Sequence, residues 1–339
     1  MIAEVVRSAT SDEVHIHSFE RQSNYNAFIN HYNLNSEKVV PVTYPGGNIP
    51  GTIYQQTLLN LLSRDSLREY DIIFNSNNCL RFLPGGPKII HYIHFPIPAT
   101  LDSDPKYENI IYKIGSIPFL VLFSITTGDP WGTTLTNSDY TRKNTIEAYP
   151  SLDPDVLYPP CIDSIKFDGF NGSGVVSVGS FHPNKRQLFQ LKVAKKFRGT
   201  EFRIIGSKAS PGYYRKCKKF INKNDLHNVE LYPDATSKKL TRILQKSGIF
   251  LHSMKKERFG ISTVEGLNQG CVPVVHDSGG QREVVPWKEF RYKNVQECMN
   301  ILESVLDGSS PTESEIEPHL NKFTTEGFRE HLERRLNPQ

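Results

Sequence analysis

Short apolar runs alternate with amphipathic stretches along most of the chain, at the spacing of strands followed by crossover helices. In the first half, Glu13-Val-His-Ile-His17, Lys38-Val-Val-Pro-Val42, Asp71-Ile-Ile-Phe74 and Lys88-Ile-Ile-His-Tyr-Ile-His94 read as strands. Tyr54 to Leu62 reads as a helix between the second and third of them. Leu135-Thr-Asn-Ser138 reads as one more strand end, followed by a helix from Asp139 to Ala148. The pattern restarts at Gly174-Val-Val-Ser-Val-Gly179. It continues through Glu201 to Gly206, Val229 to Tyr232, Gly248 to His252 and Val272 to His276, and fades near residue 305. A closing stretch, Thr325 to Leu336, is helical and amphipathic. Strands alternating with helices predict an α/β protein with parallel sheets, whose ligands bind beyond the carboxyl ends of the strands.

Tyr149-Pro-Ser-Leu-Asp-Pro-Asp-Val-Leu-Tyr-Pro-Pro160 is rich in proline and reads as an irregular linker between the two alternating regions. A length of 339 residues is about twice that of a common domain, which fits two domains with ample core. The expected division is residues 1–160, residues 161–320, and a C-terminal helix over 321–339.

Composition narrows the partners. Hydrophobic content of 37% and charged content of 22% describe a soluble globular protein, and a net charge of +4 is too mild to argue nucleic-acid binding. That balance suits a phosphorylated substrate or an anionic membrane surface. Lys192, Lys195, Lys196 and Arg198 form one basic cluster, and Arg215, Lys216, Lys218, Lys219 and Lys223 another; an ordinary solvated helix face is the alternative for each. Five cysteines lie scattered without paired spacing, so neither a zinc site nor a disulfide framework is indicated and a reducing cytosol fits. No signal peptide is evident. The apolar run from Ile114 to Thr126 is shorter than the roughly 20 residues that span a bilayer, and reads as a core helix or an interfacial segment.

The chemistry concentrates between Glu257 and Gly280, in E-R-F-G-I-S-T-V-E-G-L-N-Q-G-C-V-P-V-V-H-D-S-G-G. Ile261, Val264 and Leu267 recur at helical spacing with Gly270 as a stop, so Phe259 and Gly260 fall at a helix N-terminus. Unpaired amides and the helix dipole there favour a diphosphate, and glycine permits close backbone approach. Glu257 lies just outside the helix and Glu265 about one turn inside it, where carboxylates can accept hydrogen bonds from sugar hydroxyls. Ser278-Gly279-Gly280 opens a second glycine-rich helix start. Two glutamates eight apart would, by themselves, be an ordinary solvated face. Earlier, Val178-Gly179-Ser180-Phe181-His182-Pro183-Asn184-Lys185-Arg186 places a glycine and a lysine between a strand and a helix, which suits a phosphate grip. His94 ends a strand at His91-Tyr92-Ile93-His94-Phe95-Pro96, where it can orient a hydroxyl or phosphate, or serve structure alone.

Together these segments resemble the retaining glycosyltransferases of family 4, which have the GT-B fold of two Rossmann-like domains and an E-x7-E motif. The His-aromatic-Pro step and Val-Val-His-Asp-Ser-Gly-Gly are similar to those of the lipid-linked oligosaccharide α-1,2-mannosyltransferase group. Asn137-Ser138 and Leu157-Tyr158-Pro159-Pro160 also look like family segments, so the resemblance covers about residues 70–285. It implies a retaining transfer of a hexose, mannose first, from a GDP- or UDP-linked sugar to an acceptor hydroxyl on a glycan or lipid-linked glycan. No metal or other cofactor is implied. Lys185, with Arg186 or His182, would meet the leaving diphosphate; Ser180 stands where many members carry an arginine, and His182 where a subgroup does. Glu257 would contact the transferred sugar and Glu265 the ribose. Backbone at Phe259, Gly260, Ile261, Gly279 and Gly280 would complete the donor pocket, with His94 on the acceptor side. The implied location is cytoplasmic, peripheral at the cytoplasmic face of a membrane.

One departure stands out. Family members begin with a strand and a glycine-rich loop, whereas Met1-Ile-Ala-Glu-Val-Val-Arg reads as the end of the first helix. The first domain is therefore expected to lack its first βα unit, with Gly46-Gly47 a poorly placed replacement. The alternative that follows is a catalytically impaired sugar-nucleotide-binding protein acting with a partner. Epimerase or hydrolase chemistry on the same fold fits Phe259-Gly260 and Glu265 less well, and no G-x-G-x-x-G follows an early strand as a dehydrogenase would need.

Overall fold

The computed structural model describes residues 1–9, 13–20, 22–45, 52–77, 83–103 and 132–336; Gly46-Gly47, Cys79 and the apolar run 114–126 lie outside them. The chain divides into two compact units, one formed by Met1–Tyr158 with the residues from Phe328 onward, the other by Pro159–Gly327.

The first unit runs α1 (Ile2–Ser8), β1 (Val14–Ser18), α2 (Gln22–Tyr32), β2 (Val39–Thr43), α3 (Thr52–Ser63), β3 (Ile72–Asn75), β4 (Lys88–Ile93), α4 (Ile97–Ser103), β5 (Thr133–Thr136), α5 (Asp139–Ala148) and β6 (Asp155–Val156). Its strands pair in parallel but in two pieces, β1-β2 and β3-β4-β5-β6. The break falls between β1 and β3, where the doubly wound order 3-2-1-4-5-6 places its first strand. Burial reflects it. Every residue of β1 is only half-buried, and Ile72 of β3 is 39% exposed, whereas β4 is buried from Ile89 to Ile93. Helix α1 touches both pieces. Ala3 and Val6 pack with Ile29, Leu34 and Val39, while Met1 and Val5 pack against the cluster of Ile90, Tyr92 and Leu135. His17 on β1 is held between the hydroxyls of Tyr44, 2.9 Å away, and Tyr70, 3.0 Å away.

The proline-rich stretch is more regular than its composition suggests. Asp155–Val156 adds to β5 in parallel, Leu157 donates its amide to the Thr136 carbonyl at 2.9 Å, and the Tyr92 hydroxyl donates to the Leu157 carbonyl at 2.9 Å. Pro154 and Pro159 flank this short strand rather than interrupt it, so their missing N–H groups leave the ladder intact.

The second unit carries one continuous parallel sheet, ordered β12-β11-β10-β7-β8-β9. Its elements are β7 (Val175–Val178), α6 (Gln187–Ala194), β8 (Phe202–Gly206), α7 (Pro211–Asn224), β9 (Val229–Pro233), α8 (Ser237–Lys246), β10 (Ile249–His252), α9 (Ile261–Asn268), β11 (Val272–His276), α10 (Gln281–Val284), β12 (Arg291–Tyr292), α11 (Val295–Leu306) and α12 (Glu313–Asn321). Strands β10 and β11 are buried throughout, as expected where helices cover both faces. Leu191, Tyr213 and Cys217 of α6 and α7 cover one face with Ile204. Ile243 and Leu244 of α8 cover the other with Val176, Ile205 and Phe250.

Helix α13 (Thr325–Leu336) starts in the second unit, where the Thr325 amide donates to Ile162 O at 2.9 Å. Its later residues belong to the first unit. Phe328 and Leu332 join Ile90, Tyr92, Leu135 and Leu157 in one core cluster, and Lys88 Nζ donates to the Arg335 carbonyl at 2.6 Å.

Candidate functional site

The carboxyl ends of β7, β10 and β11 are neighbours in the second sheet, and the loops leaving them assemble one site. After β7 the chain turns at Gly179, and His182 Nδ1 accepts from the Asn184 amide at 3.3 Å, capping a single 3-10 turn over Pro183–Lys185. Arg186 adopts a left-handed conformation, φ 57°, before α6 begins. That turn aims Lys185 across to the loop after β10, where its Nζ donates to Glu257 Oε2 at 2.6 Å.

Glu257 is the centre of the cluster. Its side chain is 15% exposed, and His252 Nε2, at the end of β10, lies 3.3 Å from the same oxygen. Burial alone would raise the carboxyl pKa. The hydrogen bond from His252 and the charge of Lys185 outweigh it, holding the group ionised well below the usual carboxylate range. His252 is 4% exposed, and its backbone carbonyl accepts from the Tyr292 hydroxyl at 3.0 Å, which ties the end of β10 to β12.

The glycines are required by close approach. Gly280 donates its amide to the Glu257 carbonyl at 2.8 Å, and a Cβ on Gly279 would lie 2.2 Å from that same oxygen. The turn after β11 is thus stitched to the loop after β10. The Gly280 amide is spent on this link, which corrects the expectation that it faces a donor. Gly260, at φ 124°, caps α9; a Cβ there would lie 2.5 Å from Gln281 Nε2, which donates to Thr263 at 3.1 Å. The Thr263 and Val264 amides donate to the Gly260 carbonyl at 2.9 and 3.2 Å, which leaves Ile261 and Ser262 as the amides at the positive end of the helix dipole without an intrahelical acceptor. Phe259 is buried against Phe323 and acts as an anchor, with ring centroids 5.6 Å apart. Ile261 is exposed and Glu265 half-buried on α9, and burial raises the Glu265 pKa.

Lys185, Glu257, Gly260 and Gly279 therefore come together, and Glu265 sits on the helix they open. Two expected residues do other work. Arg186 Nη1 donates to the Ser253 carbonyl at 2.8 Å and its guanidinium lies 4.7 Å over the Phe189 ring, so it braces the β10 end. His182 is exposed and occupied with its cap. His94 follows β4 in the first unit, half-buried, its ring edge-on to Tyr92 at 5.2 Å and its carbonyl accepting from Asn137 Nδ2 at 3.0 Å.

His252 was not anticipated, although a histidine at a strand's carboxyl end five residues before Glu257 carried the same signal that singled out His94. His276 at the end of β11 was read only as motif. Its Nδ1 lies 2.9 Å from Ser278 Oγ, and burial, with the nearby charge of Arg186, lowers its pKa to about 4. Among the described residues no group of three or more His, Cys, Asp or Glu is placed to hold a metal ion. No helix among them is long and apolar enough to cross a membrane.

Two Rossmann-like units with parallel sheets define the GT-B class of fold, and solved structures agree. The chain superposes on WaaG, a glycosyltransferase involved in lipopolysaccharide biosynthesis, with a TM-score of 0.69 at 11% identity, covering 100% of this chain and 94% of that one. It superposes on Anabaena HepE, solved with UDP and glucose, with a TM-score of 0.67 at 13% identity, covering 99% and 96%. Residues 171–312, within the second unit, match the family described as glycosyl transferases group 1. Among curated proteins, the GDP-Man:Man(3)GlcNAc(2)-PP-Dol alpha-1,2-mannosyltransferase of Candida albicans is 27% identical over 51% of this chain and 32% of its own length. The mouse protein of the same name is 23% identical over 58% of this chain and 48% of its own. The matches thus span half or less of the length of these two relatives.

Proposed function

We propose that this chain is a retaining glycosyltransferase that moves a hexose, mannose first, from a nucleotide-diphosphate sugar to a hydroxyl of a lipid-linked glycan. The observation that carries the reading is the Lys185–Glu257 pair, 2.6 Å apart, set beside the N-terminus of α9. A leaving diphosphate placed there meets a lysine charge and unpaired amides, which is preorganised stabilisation of developing negative charge. Once phosphate oxygens compete for Lys185, Glu257 keeps its charge through His252 and can accept a hydrogen bond from a sugar hydroxyl. Glu265 is assigned to the ribose and His94 to the acceptor side. Charge neutralisation by these groups needs no metal, so chelator is expected to leave the rate unchanged.

The curated relatives are named for GDP-mannose and a dolichol-diphosphate acceptor, which favours GDP-mannose over a UDP-sugar and work beside a membrane; a peripheral position at the cytoplasmic face is part of the proposal. All carry transferase names, which lends no support to donor binding without transfer. The test is a panel of GDP- and UDP-sugars assayed with and without a polyprenyl-linked acceptor, with the product anomer read by NMR. Saturable donor binding and an α-linked product are expected. Absence of binding to every donor sinks the proposal, and a β-linked product from an α-linked donor sinks retention.

A further inference from the structure

Helix α8 packs Leu240, Ile243 and Leu244 onto the second sheet and turns the opposite stripe outward. That stripe holds Lys238, Arg242 and Lys246 at i, i+4 and i+8, all exposed, and among the described residues none supplies them with an ion-pair partner. Like charges at this spacing disfavour a helix, so the stripe is kept at a local cost.

The stripe borders a cavity of about 530 Å³ lying between α8 and the outer strands β8 and β9. Helix α8 covers Val176, Ile205 and Phe250 on this face, and the groove opens beside it, walled by Glu201 and Arg203 at the start of β8 and by Tyr232 of β9. Arg203 and Lys239 complete the lining, Lys239 lying 4.5 Å over the Tyr232 ring. The only carboxylate in the lining, Glu201, is already paired with Arg203, and Glu230 next to it accepts from the Tyr232 hydroxyl. Five cations against one carboxylate leave the lining strongly positive.

We propose that this groove is a docking surface for the phosphate head groups of an anionic membrane. It goes beyond the transfer reading and depends on that reading only for the membrane location. Three features favour head groups over a single small anion. The groove is open and larger than one phosphate, and its charges are mostly lysines, point charges on flexible stems that adapt to variable geometry. The apolar face of α8 is committed to the core, so attachment is electrostatic, without insertion, and fades with salt. The second basic helix, α7, carries its lysines on the opposite face of the sheet, which supplies an internal control.

The experiment is co-sedimentation of the full chain with vesicles containing phosphatidylserine, or phosphatidylcholine alone, in the absence of nucleotide sugar. A cation near such a surface contributes about five-fold in partitioning. Lys238→Ala with Arg242→Ala and Lys246→Ala is therefore expected to lower partitioning by about 100-fold. The α7 variant Lys216→Ala with Lys219→Ala and Lys223→Ala is expected to stay within about two-fold, and both to keep the parent's melting temperature and donor binding. If the α7 variant loses binding and the α8 variant does not, the groove is overturned while a membrane location stands. If the parent ignores both vesicles, or binds both equally, both ideas fail, whatever the outcome of the transfer assay. Saturable binding of inorganic phosphate without vesicle binding makes it a soluble-anion site and also overturns the proposal.

Discussion

The two units are built from the same alternation of strand and helix, yet one has an unbroken sheet and the other a divided one. In the second unit, β7, β10 and β11 are hydrogen-bonded neighbours, and each sends one loop to the Lys185–Glu257 cluster. Continuity of the sheet is what fixes those loops relative to one another. In the first unit, His17 stands on the smaller piece and His94 follows a strand of the larger, with α1 spanning both. The Lys185–Glu257 cluster is complete within one unit, whereas His94 follows a strand of a sheet whose two parts are joined by side-chain packing.

The largest expected effect tests how the first unit is held. Truncating Phe328→Ala removes a buried ring from its core and is expected to cost about 3–5 kcal/mol. A two-transition melt, with only one transition lowered, supports independent units; a single shifted transition breaks the comparison. Next comes the site. Lys185→Ala is expected to lower kcat about 100-fold or more and to weaken donor binding, whereas His94→Ala lowers transfer and leaves donor affinity unchanged by titration calorimetry. Loss of donor binding in His94→Ala denies that the donor site is self-contained.

The same truncation made in both sheets sharpens the contrast further. Ile249 on β10 is 3% exposed and Ile72 on β3 is 39% exposed. Ile249→Ala is expected to cost about 2–5 kcal/mol and Ile72→Ala less than about 1 kcal/mol, read from denaturant midpoints. Equal costs would mean that the β3 edge is covered in solution.

A further expected effect is acid sensitivity shared by both units. Burial lowers the pKa of His17 and of His276 from 6.5 to about 4. Between those values the unfolded chain binds protons that the folded chain refuses, so stability is full above pH 6.5 and declines as pH falls toward 4. His17→Asn is expected to flatten that slope for the first unit alone in pH-dependent melts.

Much of the second unit was legible because buried parallel strands are near-continuous apolar runs, as in Ile249-Phe-Leu-His252 and Val272-Pro-Val-Val-His276. Two-residue strands were not: Arg291–Tyr292 is too short to show a period, and Asp155–Val156 hides among prolines. Helix α2, Gln-Ser-Asn-Tyr-Asn-Ala-Phe-Ile-Asn-His-Tyr, is too polar for its apolar spacing to stand out, and only tertiary packing of Tyr25 and Ile29 reveals its inner face. At the site, residue types at motif spacing gave Glu257 and Lys185, but which partner each would choose depends on backbone. Arg186 looked like a phosphate ligand until its left-handed φ turned it toward Ser253, and Gly280 until its amide met the Glu257 carbonyl.

The passage of α13 from one unit to the other sets an order of assembly on the ribosome. The second unit is one uninterrupted stretch, Pro159–Gly327, and can fold as soon as it has emerged. The first unit has most of its chain made earlier but must wait for Phe328 and Leu332, which follow the whole of the second unit, to close its core. A nascent chain released short of Phe328 would carry a finished second unit and an open first sheet, with Tyr92 and Leu135 uncovered for chaperones to recognise.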